Sequence, residues 1–257
     1  MNYNYFIYTI FGDYIKMSLD TSFDIKNIIC SYFYNLKNTI NLYNFNKDHQ
    51  NNIIITNLYD IPQKNKLNQQ VIEQNKYKYV EKLDAHNNEK IKNVNHMKKT
   101  LKILYCRNIS GIHQNGISEL NLIELDADSN SKIKNVNHMK KTLKILNCNW
   151  NCGIDQNGIS ELNLIKLGAI NNEKIKNVNH MKNTLKILNC SGNKSGIDQN
   201  GISELNLIEL YVMDNKEIKN VNHMKKTLKK LNCSRKSGLD QNGISELNLI
   251  QLNTAHN

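Results

Sequence analysis

Proline is nearly missing from this chain, which has one in 257 residues, and glycine is scarce at 11. Collagen-like and proline-rich architectures are thereby excluded. No apolar run approaches 18 residues, so no membrane-spanning helix is expected. The opening MNYNYFIYTIFGDYIKM lacks a basic start and carries Asp13 inside its apolar stretch, which argues against a secretory signal. Six cysteines in a long chain without an export signal point to free thiols in a reducing, cytoplasmic setting. Also missing are a P-loop, a G-x-S-x-G elbow and an H-E-x-x-H helix. The expectation is a protein that is not an enzyme and takes no cofactor.

What is present is apolar residues at 39%, too many for a disordered chain, and 46 asparagines. Asparagine with abundant Ile and Lys suggests a coding sequence rich in A and T. That bias can produce the net charge of +11, from 34 Lys+Arg against 23 Asp+Glu, without a selected basic site.

Self-similarity dominates the rest. KIKNVNHMKKTLKIL recurs with its first Ile at 91, 133, 175 and 218, and QNGISELNLI with its Gly at 116, 158, 201 and 243. Aligning the first apolar residue of each unit gives Val80, Leu101, Leu122, Leu143, Leu164, Leu185, Leu207, Leu228 and Leu249. These starts lie 21 apart, except for one step of 22 where a residue is inserted near Gly192. Each unit reads L-x-x-L-x-(C/A)-x-x-N-x-x-I, in two alternating types. Type A starts at 80, 122, 164, 207 and 249; type B starts at 101, 143, 185 and 228.

This pattern resembles the leucine-rich repeat, whose core is L-x-x-L-x-L-x-x-(N/C)-x-L. The resemblance implies an α/β solenoid over 80–257: a curved parallel sheet with short helical or irregular return segments. The B units, with C-x(4–6)-(G/S)-(I/L)-D-Q-N-G-I-x-x-L, look like the cysteine-containing subclass common in F-box proteins. Within residues 1–48, DYIKMSLDTSFDIKNIICSYFYNLKN has apolar residues at helical spacing, and Asp24, Cys30, Phe33 and Leu36 resemble the end of an F-box. A mainly helical N-terminal cap is expected there. If it is an F-box, Ile15, Leu19, Ile28, Phe33 and Leu36 are the contacts for a Skp-family linker. Residues 49–79 read as a transition, strand-like at NNIIITNLYDI and helical between Gln63 and Tyr79. The wording also resembles the Asn-rich repeat proteins of mimivirus-type giant viruses, which would place the chain in the host cytoplasm.

A coil of 21 residues cannot bury its own apolar face, so neighbouring coils must stack. Positions 1, 4 and 6 (Leu122, Leu125, Ala127) are expected to point inward, with the twelfth-position Ile133 and its counterparts as the next layer. Val94, Met97, Ile117 and Leu120 recur at helical spacing on the return leg. Asp155, Asp198 and Asp240 are placed to N-cap a short turn, where His113 is the weaker substitute. The ninth-position amides Asn88, Asn130, Asn172, Asn215, Asn151 and Asn193 are expected to satisfy backbone at the bend after each strand. Ile109 and Lys236 break that ladder. The last unit stops at its ninth position, Asn257, without a polar closing coil. That leaves either an open final edge or a shortened paralogue.

His96, His138, His180 and His223 invite a metal reading, but coils two apart are separated by roughly 10 Å. Ligands to one zinc must lie at about 2.0–2.1 Å, so no metal is expected. Cys106, Cys148, Cys190 and Cys233 fail the disulfide distance in the same way and read as small core residues. Lys98, Lys99, Lys140, Lys141, Lys182, Lys225 and Lys226 form a return-side stripe. It reads either as a solvated face or as a site for nucleic acid or an anionic surface. No aromatics interleave with it, so nucleic acid is the lesser expectation. Near-identical copies make their differences informative. These collect at positions 5, 7 and 8, at Asp84, Tyr105, Arg107, Asp126, Trp150, Tyr211, Met213 and Arg235. Tyr, Trp and Arg often anchor interfaces, so the expected function is to bind a protein on the concave face and rim.

Overall fold

The computed structural model describes residues 4–8, 14–18, 56–58 and 67–255. Two strands at the N-terminus, β1 (Asn4–Tyr8) and β2 (Tyr14–Ser18), pair antiparallel. Ten more form one parallel sheet in chain order: β3 (Asn57–Leu58), β4 (Lys82–Asp84), β5 (Ile103–Tyr105), β6 (Glu124–Asp126), β7 (Ile145–Asn147), β8 (Lys166–Gly168), β9 (Ile187–Asn189), β10 (Glu209–Tyr211), β11 (Lys230–Asn232) and β12 (Gln251–Asn253). This is a leucine-rich-repeat solenoid. No described helix is long and apolar enough to cross a membrane.

The register follows from the fourth-position leucines. Leu83, Leu104, Leu125, Leu146, Leu167, Leu188, Leu210 and Leu231 pair in sequence across the sheet and are all buried. A shift of one residue would turn each of them to the solvent, which makes this register strongly specified. Leu122, Ala127 and Ile133 are fully buried, as are Val94, Met97, Ile117 and Leu120 on the return leg. Short 3₁₀ turns carry that leg, as at Asn95–Met97 and Asn157–Ile159.

Asx capping holds as expected in the B coils. Asp155, Asp198 and Asp240 each accept the backbone N–H three residues on at 2.9 Å, while His113 makes no such bond. The return-leg glycines are set by close approach: a Cβ on Gly158 would stand 2.1 Å from the Lys134 carbonyl oxygen.

At the bend after the strand, the two coil types part. In A coils Asn130 donates from Nδ2 to the Cys106 and Ile112 carbonyls and accepts from Lys132 N–H through Oδ1. Asn172 and Asn215 repeat the arrangement. In B coils the expectation is overturned, because Asn151 and Asn193 are exposed. There the buried bend residue comes later and is small: Ser110 or Cys152, with Ser195 and Ser237 half-buried in the other two coils. Each serine Oγ accepts the backbone N–H two residues on. The following glycine donates to the neighbouring A bend, as in Gly153 N–H to the Asn130 carbonyl at 3.0 Å.

Side chains also bridge coils along the convex leg. Asn137 donates to the Asn157 carbonyl and accepts from Glu161 N–H. Gln156 accepts from Lys176 and Asn177 N–H and donates to the Asn177 carbonyl. The abundant asparagine is therefore partly structural.

The sheet begins one strand before Val80: Leu58 of β3 pairs with Leu83, followed by a short helix at Gln69–Ile72. Within residues 1–48, Ile15 lies in β2 paired with Ile7, not in the helix its spacing predicted. Leu19, Ile28, Phe33 and Leu36 lie outside the described residues.

Candidate functional site

Positions 3 and 5 alternate with the buried fourth-position leucine and so lie on the opposite sheet face, the one expected to be concave, and positions 7 and 8 form the turn that follows. The turn has a feature that repeats around the solenoid. Position 8 lies in the left-handed region in eight successive coils: Asn87, Asn108, Ser129, Trp150, Asn171, Gly192, Asp214 and Arg235, with φ from 51° to 103°. Asn, Asp and Gly suit this conformation because a short polar side chain or none avoids the carbonyl clash. Trp150 (φ 53°) and Arg235 (φ 65°) do not. Each is expected to carry on the order of 1–2 kcal/mol of local strain.

The concave residues singled out in the sequence divide into a knit cluster and separate members. Tyr105, Arg107 and Asp126 come together on β5 and β6 and the turn between them. The Arg107 guanidinium and Lys82 Nζ lie 5.5 and 5.3 Å from the Tyr105 ring centre, within cation–π range. Tyr105 donates to Glu124 at 3.0 Å, and Arg107 Nε stands 3.1 Å from Asp126 Oδ2. Asp126 is buried, and burial, with the neighbouring Asp128 carboxylate, raises its pKa to about 6. Arg107, the Asp128 N–H and Asn147 oppose that shift. Asp84 is buried too and lies 2.8 Å from His86 Nδ1. These two carboxylates therefore brace the face instead of presenting free charge.

Trp150 stands apart, 47% exposed. Tyr211 donates to Glu209 at 3.0 Å, and Met213 is half-buried beside it. Arg235 reaches Asp214 at 3.4 Å. Next to Trp150, Asp128 accepts from both the backbone and side-chain N–H groups of Asn149, and Asn149 accepts from Ile170 N–H. Gly168, on the strand after Asn147, leaves the middle of the face without a side chain, and a Cβ there would stand 2.7 Å from Asn147 Oδ1. Sequence reasoning did not find this asparagine and aspartate framework. Its signal is Asp-Ser followed one coil later by Asn-Trp at positions 7 and 8.

The histidines have a structural role. His96, His138, His180 and His223 each place Nε2 3.0–3.2 Å from a backbone carbonyl of the preceding coil. A carbonyl can only accept, so the His138 Nε2 carries the proton and donates, and burial holds the pKa of this ring below its ordinary value. Cys106, Cys148, Cys152, Cys190 and Cys233 are buried free thiols. Burial pushes Cys152 and Cys190 up to about 12, which leaves them unreactive. In the lysine stripe, Lys98, Lys140, Lys182 and Lys225 each pair with a glutamate of the next coil, the last three at 2.5 Å. No family model matches the chain, and no curated protein matches it.

Proposed function

We propose that this chain is a non-enzymatic scaffold that holds a protein partner on the concave face and its rim. Trp150 carries the reading. A bulky, half-exposed aromatic occupies a left-handed turn where six of the other seven coils place Asn, Asp, Ser or Gly. Strain of this kind marks positions held for something other than stability, and an exposed Trp is a common interface anchor. Tyr105 and Arg107 offer a second anchor on an earlier coil, and Tyr211 with Met213 a third on a later one. Replacing Tyr105, Trp150 and Tyr211 together by Ala should abolish a partner captured by affinity purification, with the circular dichroism spectrum unchanged. Undiminished capture would refute the reading.

The sharper version is a substrate adaptor of an SCF-type ubiquitin ligase, with residues 1–48 on a Skp-family linker and the repeats on substrate. It rests on the sequence resemblance of Asp24, Cys30, Phe33 and Leu36. The linker should co-purify with the full chain and be lost when residues 1–48 are removed; a full-length purification without linker removes this version. Binding of nucleic acid or an anionic surface through the lysine stripe is the lesser reading, because four of its seven members are matched by glutamates. Salt titration separates the two, since phosphate contacts weaken steeply with salt.

A further inference from the structure

A second lysine column differs from the paired one. It lies at position 2, where each strand begins, and alternates with isoleucine: Ile123, Lys144, Ile165, Lys186, Ile208 and Lys229. The three isoleucines are 46%, 46% and 43% exposed, the same side chain left half in water on three successive A coils. None of the three lysines forms an ion pair among the described residues, in contrast to Lys140, Lys182 and Lys225 on the convex leg. The column is also held rigidly. The N–H of each position-2 residue donates to the position-2 carbonyl of the preceding coil, at 2.8 or 2.9 Å, without a break from Ile123 to Ile250.

The spacing indicates the shape of the occupant. Adjacent coils stand ~4.8 Å apart, so isoleucines recur every ~9.6 Å. Seven residues of an α-helix rise ~10.5 Å, within about 1 Å of that step. A helix lying along the edge thus presents one apolar residue per heptad to each isoleucine, and its flanking carboxylates to the lysines between them. An extended strand would advance ~3.3 Å per residue and turn its third side chain to the opposite face. An anionic bilayer fits less well, because a lipid surface has no period to match this alternation of isoleucine and lysine.

We propose that this edge docks an acidic amphipathic helix with a heptad apolar repeat, on a surface separate from the concave face. The probe is a labelled four-heptad peptide with Leu once per heptad flanked by Glu. It is titrated with the full chain and followed by fluorescence anisotropy, beside a peptide with Lys in place of Glu. Vesicles of phosphatidylcholine and phosphatidylserine form a third arm. The acidic peptide should bind and the basic one should not. Lys144→Glu with Lys186→Glu should weaken binding at least roughly tenfold. Ile165→Asn, or Ile165→Thr if the first disturbs the circular dichroism spectrum, should weaken it several-fold. Trp150→Asn should leave it unchanged, which separates this surface from the concave one. Absence of acidic-peptide binding, equal binding of both peptides, indifference to the edge substitutions, or binding to vesicles in place of the peptide overturns the proposal.

Discussion

A coils and B coils build the same strand on the same leucines, then leave it by different chemistry. The A bend concentrates its hydrogen bonds on one buried amide: Asn172 serves two carbonyls and one N–H by itself. The B bend divides the task between a small Ser or Cys and a glycine whose N–H reaches the A bend before it. Asparagine supplies donor and acceptor together, so A coils need one irreplaceable side chain. B coils instead need the absence of one.

That contrast can be tested from its strongest consequence to its weakest. Asn172→Ala should remove three bonds and leave buried polar groups unmet, destabilising the chain by about 3–5 kcal/mol in urea unfolding. Gly153→Ala adds a Cβ 2.4 Å from the Ile133 carbonyl oxygen. It should lower stability by about 1–3 kcal/mol, the range for overpacking, whereas Cys152→Ser in the same bend should stay within ~0.5 kcal/mol. An equal loss for the last two would end the proposed division of labour.

The strand faces differ in charge as well, with Asp126 on an A coil opposite Asn147 on a B coil. The Asp126 pKa is raised to about 6, so the folded protein keeps a proton that the unfolded chain releases near 4. This group therefore favours folding below about pH 4, and its contribution is lost as pH rises to about 6. A carboxyl NMR titration should place its midpoint near 6; a midpoint near 4 would show that Arg107 and Asn147 outweigh burial. Smaller still, Trp150→Asn should raise stability by about 1 kcal/mol by relieving the left-handed turn. A loss instead would mean that the indole packs on the face and contributes stability there.

The sheet, its register and the A bend were legible in the sequence because the leucine period and the amide chemistry leave few alternatives. The B bend was not. Asn151 and Asn193 occupy the expected ninth position, but Ser110 and Cys152 show that the corner turns one residue later, and neither is a conspicuous residue. The left-handed position escaped notice because Asn, Ser, Trp, Gly, Asp and Arg share it, so a common backbone state hides behind unlike side chains. β3 was obscured by its longer offset, with Leu58 standing 25 residues before Leu83 where the later units repeat at 21 or 22. On the candidate face, aromatic and basic anchors could be named from sequence, but the burial of Asp84 and Asp126 depends on neighbours from other coils.

The convex bridges always join unlike coils: Asn137 reaches forward from A to B, and Gln156 from B to A. A gene that grows or shrinks by one coil would set two A corners, or two B corners, against each other and leave the bridges at that junction without their partners. Loss of residues 143–184 would instead join Thr142 to Leu185 and return every coil to a neighbour of the kind it already has. The heritable unit of length in this solenoid is therefore the pair, and recombination between its near-identical copies can change its reach without redesigning the bridges of the return leg.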